Sequence, residues 1–312
     1  MNKPLLTAFL SLALSAGAAV GQSFEEAVAR YTEADYKAAY GIAKSLAENG
    51  DPRAMAMLGT MYQNGFGVER NVKQAVTWLT AAAEKDFTGA QFSLALIYLD
   101  GLLGKSDLPT ATAWMERAAR GGHPPAQHNM GLLAAGAGGR APDWSEAAQW
   151  FARAAEQGFA DAQYNLAVIY FEGKGIAQDK VKAGEFFLKA AMQGMADAAL
   201  EYGVMAFRGD GVAKNEAIGA QWLLVAAERG NVIAQNRVAR IFATGRGLPL
   251  DPVEAAKWHL LALEAGRSDS WLGEFVSKLT NQQRTEATAR AAAWTTANSA
   301  PASKAPAKSS GG

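Results

Sequence analysis

The residues most suggestive of chemistry are a glycine–lysine–serine loop at 99–106 (LDGLLGKS). It ends as a phosphate-binding loop ends, but such a loop opens on glycine where this chain has Leu99. A phosphate-binding loop also follows a strand, whereas the pattern before Leu99 predicts a helix. We therefore expect a simple connection between helices and no nucleotide site.

The three histidines are not spaced as a metal site. His123 and His128 flank two prolines and lie five residues apart, so they would not share a helix face. Neither they nor His259 belong to an HExxH motif, there is no cysteine, and no serine lies in a GxSxG turn. Carboxylates such as Glu146 and Glu172 recur with the repeat described below, which favours helix caps and solvated faces. We expect no metal, no cofactor and no catalysis.

Large aromatic residues recur every 36 residues and could line a sugar-binding groove. They lie between alanines at core spacing, which favours packing instead. The ladder consists of Trp78, Trp114, Trp150, Phe186, Trp222 and Trp258. Trp144 lies outside it, next to an irregular loop, and is a candidate exposed contact residue.

The same 36-residue period organises the whole chain, which predicts a solenoid of stacked repeats. Each repeat offers an N-cap residue, a helix, a closing glycine and a second helix, for example at 161–172. The predicted N-caps are Asn71, Asp107, Asp143, Asp179, Asn215 and Asp251. The predicted closing residues are Gly50, Asp86, Gly122, Gly158, Gly194, Gly230 and Gly266. Asp143 with Glu146 and Asp251 with Glu254 have capping-box spacing, and Pro252 suits a first helical position.

These residues form the pattern A-x-x-W-x-x-x-A-A-x-x-G-x-x-x-A-x-x-x-L-[GA]-x-x-Y-x-x-G-x-G-[VI], which resembles the Sel1-like repeat family, a relative of tetratricopeptide repeats. The resemblance covers six full repeats at 36–71, 72–107, 108–143, 144–179, 180–215 and 216–251, and a partial repeat at 252–275. It implies an all-α, right-handed α/α superhelical solenoid that binds partners. We expect capping segments at 24–40 and 281–294, and an irregular loop or changed curvature where Leu103 and the segment 134–140 replace the repeat's glycines and tyrosine.

The two ends differ from the repeats. Residues 1–23 read as a signal peptide, with Lys3, an apolar run and small residues before a cleavage site. Without cysteine, a lipid anchor is not expected, so the sequence predicts a periplasmic or secreted protein. Residues 299–312 (SAPASKAPAKSSGG) have the composition of a disordered tail. Thirty basic residues balance thirty acidic ones without clustering, which argues against nucleic-acid binding.

The sequence therefore predicts a non-enzymatic interaction scaffold of the bacterial cell envelope, with a mature region at 24–298 that binds protein partners through the concave face of its first helices. Slot position nominates a set of partner-binding residues: Lys73, Thr77, Thr110, Trp144, Gln149, Arg153, Glu185, Lys189 and Gln221. A peptidoglycan- or polysaccharide-binding accessory factor is the alternative. A hydrolase of cell-wall material or of a β-lactam is the least favoured, because no nucleophile, base and oxyanion donors come together.

Overall fold

The computed structural model describes residues 23–139 and 141–299, which contain sixteen α-helices and no strand. The predicted signal peptide and tail lie outside these residues, apart from Ser23 and Ser299. The chain divides into an N-terminal unit, 1–159, and a C-terminal unit, 160–312. The N-terminal unit contains α1 (Phe24–Thr32), α2 (Tyr36–Glu48), α3 (Pro52–Asn64), α4 (Val72–Glu84), α5 (Thr88–Leu99), α6 (Leu108–Arg120), α7 (Pro124–Ala134), a 3-10 turn (Ala137–Gly139) and α8 (Trp144–Glu156). The C-terminal unit contains α9 (Ala160–Glu172), α10 (Lys180–Met192), α11 (Ala196–Arg208), α12 (Glu216–Glu228), α13 (Val232–Thr244), α14 (Pro252–Glu264), α15 (Ser270–Ser277) and α16 (Asn281–Ser299).

Helix starts follow the predicted caps. All six predicted N-cap side chains accept a hydrogen bond from a backbone N–H in the first turn of the next helix, and Pro252 is a first-turn residue. We call the helices that follow these caps, together with α2, the first helices (α2, α4, α6, α8, α10, α12 and α14), and α3, α5, α7, α9, α11 and α13 the second helices.

The predicted capping boxes form only in part. Asp143 and Asp251 accept the backbone N–H of Glu146 and Glu254, as expected. The two glutamate carboxylates, however, bond elsewhere: Glu146 accepts the indole N–H of Trp150 at 3.2 Å, and Glu254 pairs with Lys257 and Arg290. In both helices, a side chain one turn further on (Trp150 or Lys257) bonds to the glutamate carboxylate in place of the backbone N–H of the N-cap residue.

Helix ends also match the sequence. The six glycines predicted to close the first helices all have positive φ, between 84° and 100°. Asp86, the exception in sequence, has φ 58°, so its backbone takes the same left-handed conformation without glycine.

Small residues let the helices of each unit approach closely. A Cβ added at Gly59 in α3 would lie 2.5 Å from the Leu79 side chain in α4, and one at Gly131 in α7 would lie 2.5 Å from Phe151 in α8. The alanines in the corresponding slots are fully buried. The aromatic ladder packs as predicted, with Trp150 and Trp258 buried and the other members half-buried.

Buried glutamines tie three of the second helices, α5, α7 and α13, to the first helices before them. The side-chain amides of Gln91, Gln127 and Gln235 donate to the carbonyls of Ala83, Ala119 and Ala227, near the ends of α4, α6 and α12. The Gln127 oxygen is in turn satisfied by Gln157, at 2.8 Å. One repeat earlier, the position equivalent to Gln157 is Gly121, which has no side chain to donate to Gln91. The buried side-chain oxygen of Gln91 therefore has no partner within the described chain.

The regular connections press glycine against helix backbone. Gly67, Gly211 and Gly247 have positive φ, and a Cβ on any of them would overlap a carbonyl oxygen at the start of the preceding first helix. Leu103 takes this place after α5 and is exposed, as is Leu102. The connection after α7 instead forms the 3-10 turn. The irregular connections expected from 134–140 and Leu103 are therefore present.

The last helix covers the end of α14. Trp294 of α16 packs edge-on against Trp258 with ring centroids 6.0 Å apart, and Ala287 is fully buried. The helix spans Asn281–Ser299, five residues longer than the capping segment expected from the sequence. Within the described part of the chain, no helix has the length and apolarity required to cross a membrane.

Candidate functional site

The residues nominated from the sequence lie on the first helices. Seven of them are exposed on α4, α8, α10 and α12: Lys73, Thr77, Gln149, Arg153, Glu185, Lys189 and Gln221. Arg153 lies over the Trp150 ring at 4.6 Å and Lys189 over Phe186 at 4.9 Å, so both cations cover ladder aromatics. The other two are less accessible. Thr110 donates its hydroxyl to the N-cap Asp107, and Trp144 is half-buried at the first position of α8 rather than exposed as expected.

The histidines pack. His128 lies between the rings of Phe151 and Phe159, and burial lowers the pKa of His123, stacked against Phe92, to about 4. Among the described residues, no three His, Asp or Glu side chains converge as metal ligands would.

The structure instead draws attention to a surface pocket of the C-terminal unit, with a volume of about 340 Å³. We call it the arginine pocket. It opens between the second helices α11 and α13, with α15 at its edge. Its lining is Val204, Phe207, Arg208, Leu223, Arg237, Arg240, Ile241, Thr244, Arg246 and Trp271. The helical spacing of Val204, Phe207 and Arg208, and of Arg237, Arg240 and Thr244, brings these side chains to one face of α11 and of α13.

Arg240 forms one wall of the pocket and is held rigidly. Its guanidinium donates twice to Asp269, at 2.7 Å each, and lies 5.0 Å from the centroid of the Trp271 ring. Asp269 also accepts from Asn236 and caps α15 through the N–H of Leu272. These bonds, with that to Arg240 first, hold the pKa of Asp269 down to about 2.

Arg246 forms a second wall of the pocket in a similar way. It bonds to Glu216 at 2.6 Å and lies over the Phe207 ring at 5.2 Å. The hydrogen bond to Arg246 lowers the pKa of the Glu216 carboxyl. Both walls are therefore arginine–carboxylate pairs stacked on an aromatic ring.

The two remaining arginines are different. Arg208, exposed, and Arg237, half-buried, form no hydrogen bond or ion pair with any residue that the structure describes. Burial, followed by repulsion from Arg208, lowers the pKa of Arg237. Glu201 is close enough to attract both cations without bonding to either, and burial raises the pKa of its carboxyl.

The repeat register held a signal for this pocket that sequence reasoning missed. The positions equivalent to Arg237 in earlier repeats are Met57, Ser93, Asn129, Asn165 and Glu201. Those equivalent to Arg240 are Thr60, Leu96, Leu132, Val168 and Val204. Packing of the second helix therefore does not require arginine at either place. A prediction that uses departures from the period only in loops and on first helices does not find these two arginines.

Comparison with known proteins agrees with this architecture. The Sel1 repeat family matches at 52–87, 88–123, 124–159, 160–195, 196–231 and 232–266, with each match starting at a second helix. A protective antigen of uropathogenic Escherichia coli strains displaying an SLR fold is 28% identical, with a TM-score of 0.72. The alignment covers 93% of this chain and 66% of that one, so the chain spans about two thirds of that protein's length. A Sel1 repeat protein from Oxalobacter formigenes is 27% identical with a TM-score of 0.64, over 78% of this chain and 97% of that one. No curated protein matches.

Six consecutive family matches over more than half of the chain, and two solved structures built from the same repeat, lead to one conclusion. The predicted fold class, an all-α solenoid of helix-turn-helix repeats, is confirmed, and the chain belongs to the Sel1 repeat family.

Proposed function

We propose that this chain is a non-enzymatic scaffold of the bacterial cell envelope that holds a protein partner at the arginine pocket. Sel1 repeat proteins are generally interaction scaffolds rather than catalysts. The observation that carries the proposal is the convergence of four arginines with an exposed tryptophan, Trp271, at one surface opening. Arginine and tryptophan are the residue types that contribute most binding energy at protein interfaces.

The envelope location rests on the sequence of residues 1–23, which reads as a cleavable signal peptide. Fractionation of the source bacterium, with mass measurement of the mature chain, tests it. Recovery of a shortened chain in the periplasm or the medium supports export. Recovery of the full-length chain in the cytoplasm refutes it.

The binding surface is tested by photocrosslinking in living cells. A photoreactive amino acid replaces Thr244, on the rim of the arginine pocket, in one strain, and Gln149 or Gln221, on first helices, in two others. All three side chains are exposed, so the replacements should not disturb folding. We expect a discrete protein adduct from position 244 only.

The contrary outcomes are distinct. Adducts from the first-helix positions alone would move the binding surface to the residues nominated from the sequence. Absence of a protein adduct at all three positions, with sedimentation on purified cell-wall sacculi, would replace the protein scaffold by the glycan-binding alternative.

A further inference from the structure

The charges around the arginine pocket leave two cations uncompensated. The carboxylates of Asp269 and Glu216 neutralise Arg240 and Arg246 by direct bonds. Arg208 and Arg237 have no bonded anion among the residues that the structure describes. Guanidinium groups offer five N–H donors in a fork that matches a carboxylate, so these two can each receive one.

Of the two arginines, Arg237 should be stabilised more by binding an anion. It is half-buried, and Arg208 and Arg267 add like charge nearby. A partly desolvated cation without a bonded partner raises the free energy of the unbound protein, and a carboxylate in contact with it removes that penalty. Glu201 attracts the guanidinium groups of Arg208 and Arg237 but does not bond to either. A ligand carboxylate can therefore form the direct bonds that Glu201 does not.

Apart from Thr244, the rest of the pocket lining is apolar. Trp271 is 41% exposed, and Val204 and Ile241 lie on the same opening. A volume of about 340 Å³ is enough for one apolar side chain beside the carboxylates. Glu216 and Asp269 bond to Arg246 and Arg240, and Glu201 lies near Arg208 and Arg237, so these carboxylates oppose a continuous polyanion such as a nucleic acid or an anionic lipid surface. Separated carboxylates on a peptide fit this alternation of charge better.

We propose that the arginine pocket binds an acidic segment of the protein partner, with carboxylates on Arg208 and Arg237 and an adjacent apolar side chain against Trp271. This inference rests on the proposed scaffold function and specifies the chemistry of its partner.

The test measures binding of a short fluorescein-labelled peptide of alternating glutamate and leucine to the purified full-length chain by fluorescence anisotropy. The reference peptide has glutamine in place of glutamate. We expect the acidic peptide to bind, the reference peptide not to bind, and the affinity to fall as salt is raised.

Variants locate the site. R237Q should weaken binding by about tenfold or more, because it removes a charge-assisted hydrogen bond in a partly desolvated place. R208Q, at a more exposed cation, should weaken it about two- to fivefold. E201Q should strengthen binding about two- to fivefold, because it removes the carboxylate that competes for the two arginines. Arg229 is exposed and outside the pocket, so R229Q controls for net charge and should leave the affinity unchanged.

Several results would overturn the inference. These are equal binding of both peptides, equal losses in R237Q and R229Q, or no peptide binding together with Arg237-dependent binding to vesicles of anionic lipid. Because R208Q changes an exposed side chain, a folding defect cannot explain its loss of binding. A protein adduct at position 244 without acidic-peptide binding would refute this inference alone, whereas absence of any adduct refutes the scaffold function.

Discussion

Asp269 is the residue on which the wall of the arginine pocket depends, and we expect D269N to weaken the fold measurably. The carboxylate is 7% exposed and bonds to Arg240, Asn236 and the first turn of α15. Asparagine still caps a helix well, but the substitution removes the charge and turns one of the two acceptor oxygens into an amide donor that faces other donors. A pKa lowered from 3.8 to about 2 corresponds to about 2 kcal/mol of stability. Since the Arg240 side chain is 50% exposed, solvent screening reduces the expected loss to about 1–2 kcal/mol.

The assay is urea unfolding at neutral pH, with hydrogen exchange of α13 and α15 as a local readout, because repeat arrays can unfold in parts. D86N provides the matched control. Asp86 pairs with Arg117 at 2.8 Å but is 83% exposed, and asparagine tolerates its positive φ. We expect D86N to cost less than about 0.5 kcal/mol.

The pH dependence gives the sign of the Asp269 effect. Because the folded-state pKa is below the unfolded value, the stabilisation is fully present above pH 3.8 and is lost as pH falls toward about 2. The gap in stability between wild type and D269N should therefore be constant from about pH 7 to pH 5 and narrow below about pH 4. A D269N loss no larger than that of D86N, or a gap independent of pH, would refute the reasoning.

Three further predictions concern packing and burial. Gly59→Ala should destabilise by about 1–3 kcal/mol through overlap with the facing leucine, whereas Gly41→Ala, exposed with open space around it, should stabilise by up to about 1 kcal/mol; urea unfolding of both decides. Burial holds the pKa of His123 near 4, so wild type should lose up to about 3 kcal/mol as pH falls from 6.5 to about 4, and His123→Phe should flatten that part of the stability profile. A glutamine at position 121 should donate to the unpartnered side-chain oxygen of Gln91, but its Cβ would lie 2.5 Å from the Thr88 methyl group, so Thr88 is first shortened to alanine. We expect the double variant Thr88→Ala, Gly121→Gln to be about 1 kcal/mol more stable than Thr88→Ala alone, measured by thermal unfolding.

Features set by local chemistry were predictable from the sequence. The caps of the first helices, from Asn71 to Asp251, and the closing glycines follow from hydrogen bonds and backbone angles within a few residues. The same reasoning failed for the reciprocal half of the capping boxes, because the Trp150 indole, one turn away, and Arg290, 36 residues away, take the two carboxylates in place of the N-cap N–H.

The arginine pocket could not be assembled from the sequence in the same way. Arg208, Arg240 and Asp269 follow one another in the chain at intervals of about thirty residues, and only the folded chain brings the two arginines to one pocket and Asp269 against Arg240. The partner of Arg240 comes from the partial last repeat, where the period no longer guides the alignment. The period nevertheless marks Arg237 and Arg240 as unusual, and comparison of equivalent positions on second helices would have identified them.

The contact between loop glycine and helix backbone has a practical consequence for engineering this chain. After α3, α11 and α13, a single side chain on that glycine already collides with the preceding helix, so these connections leave no room for added sequence. The connection after α5 carries two leucines outward in the same place, and Gly104 beside them has open space around it. A tag or a small reporter domain inserted beside Gly104 would therefore extend into solvent without disturbing the packing of the neighbouring helices.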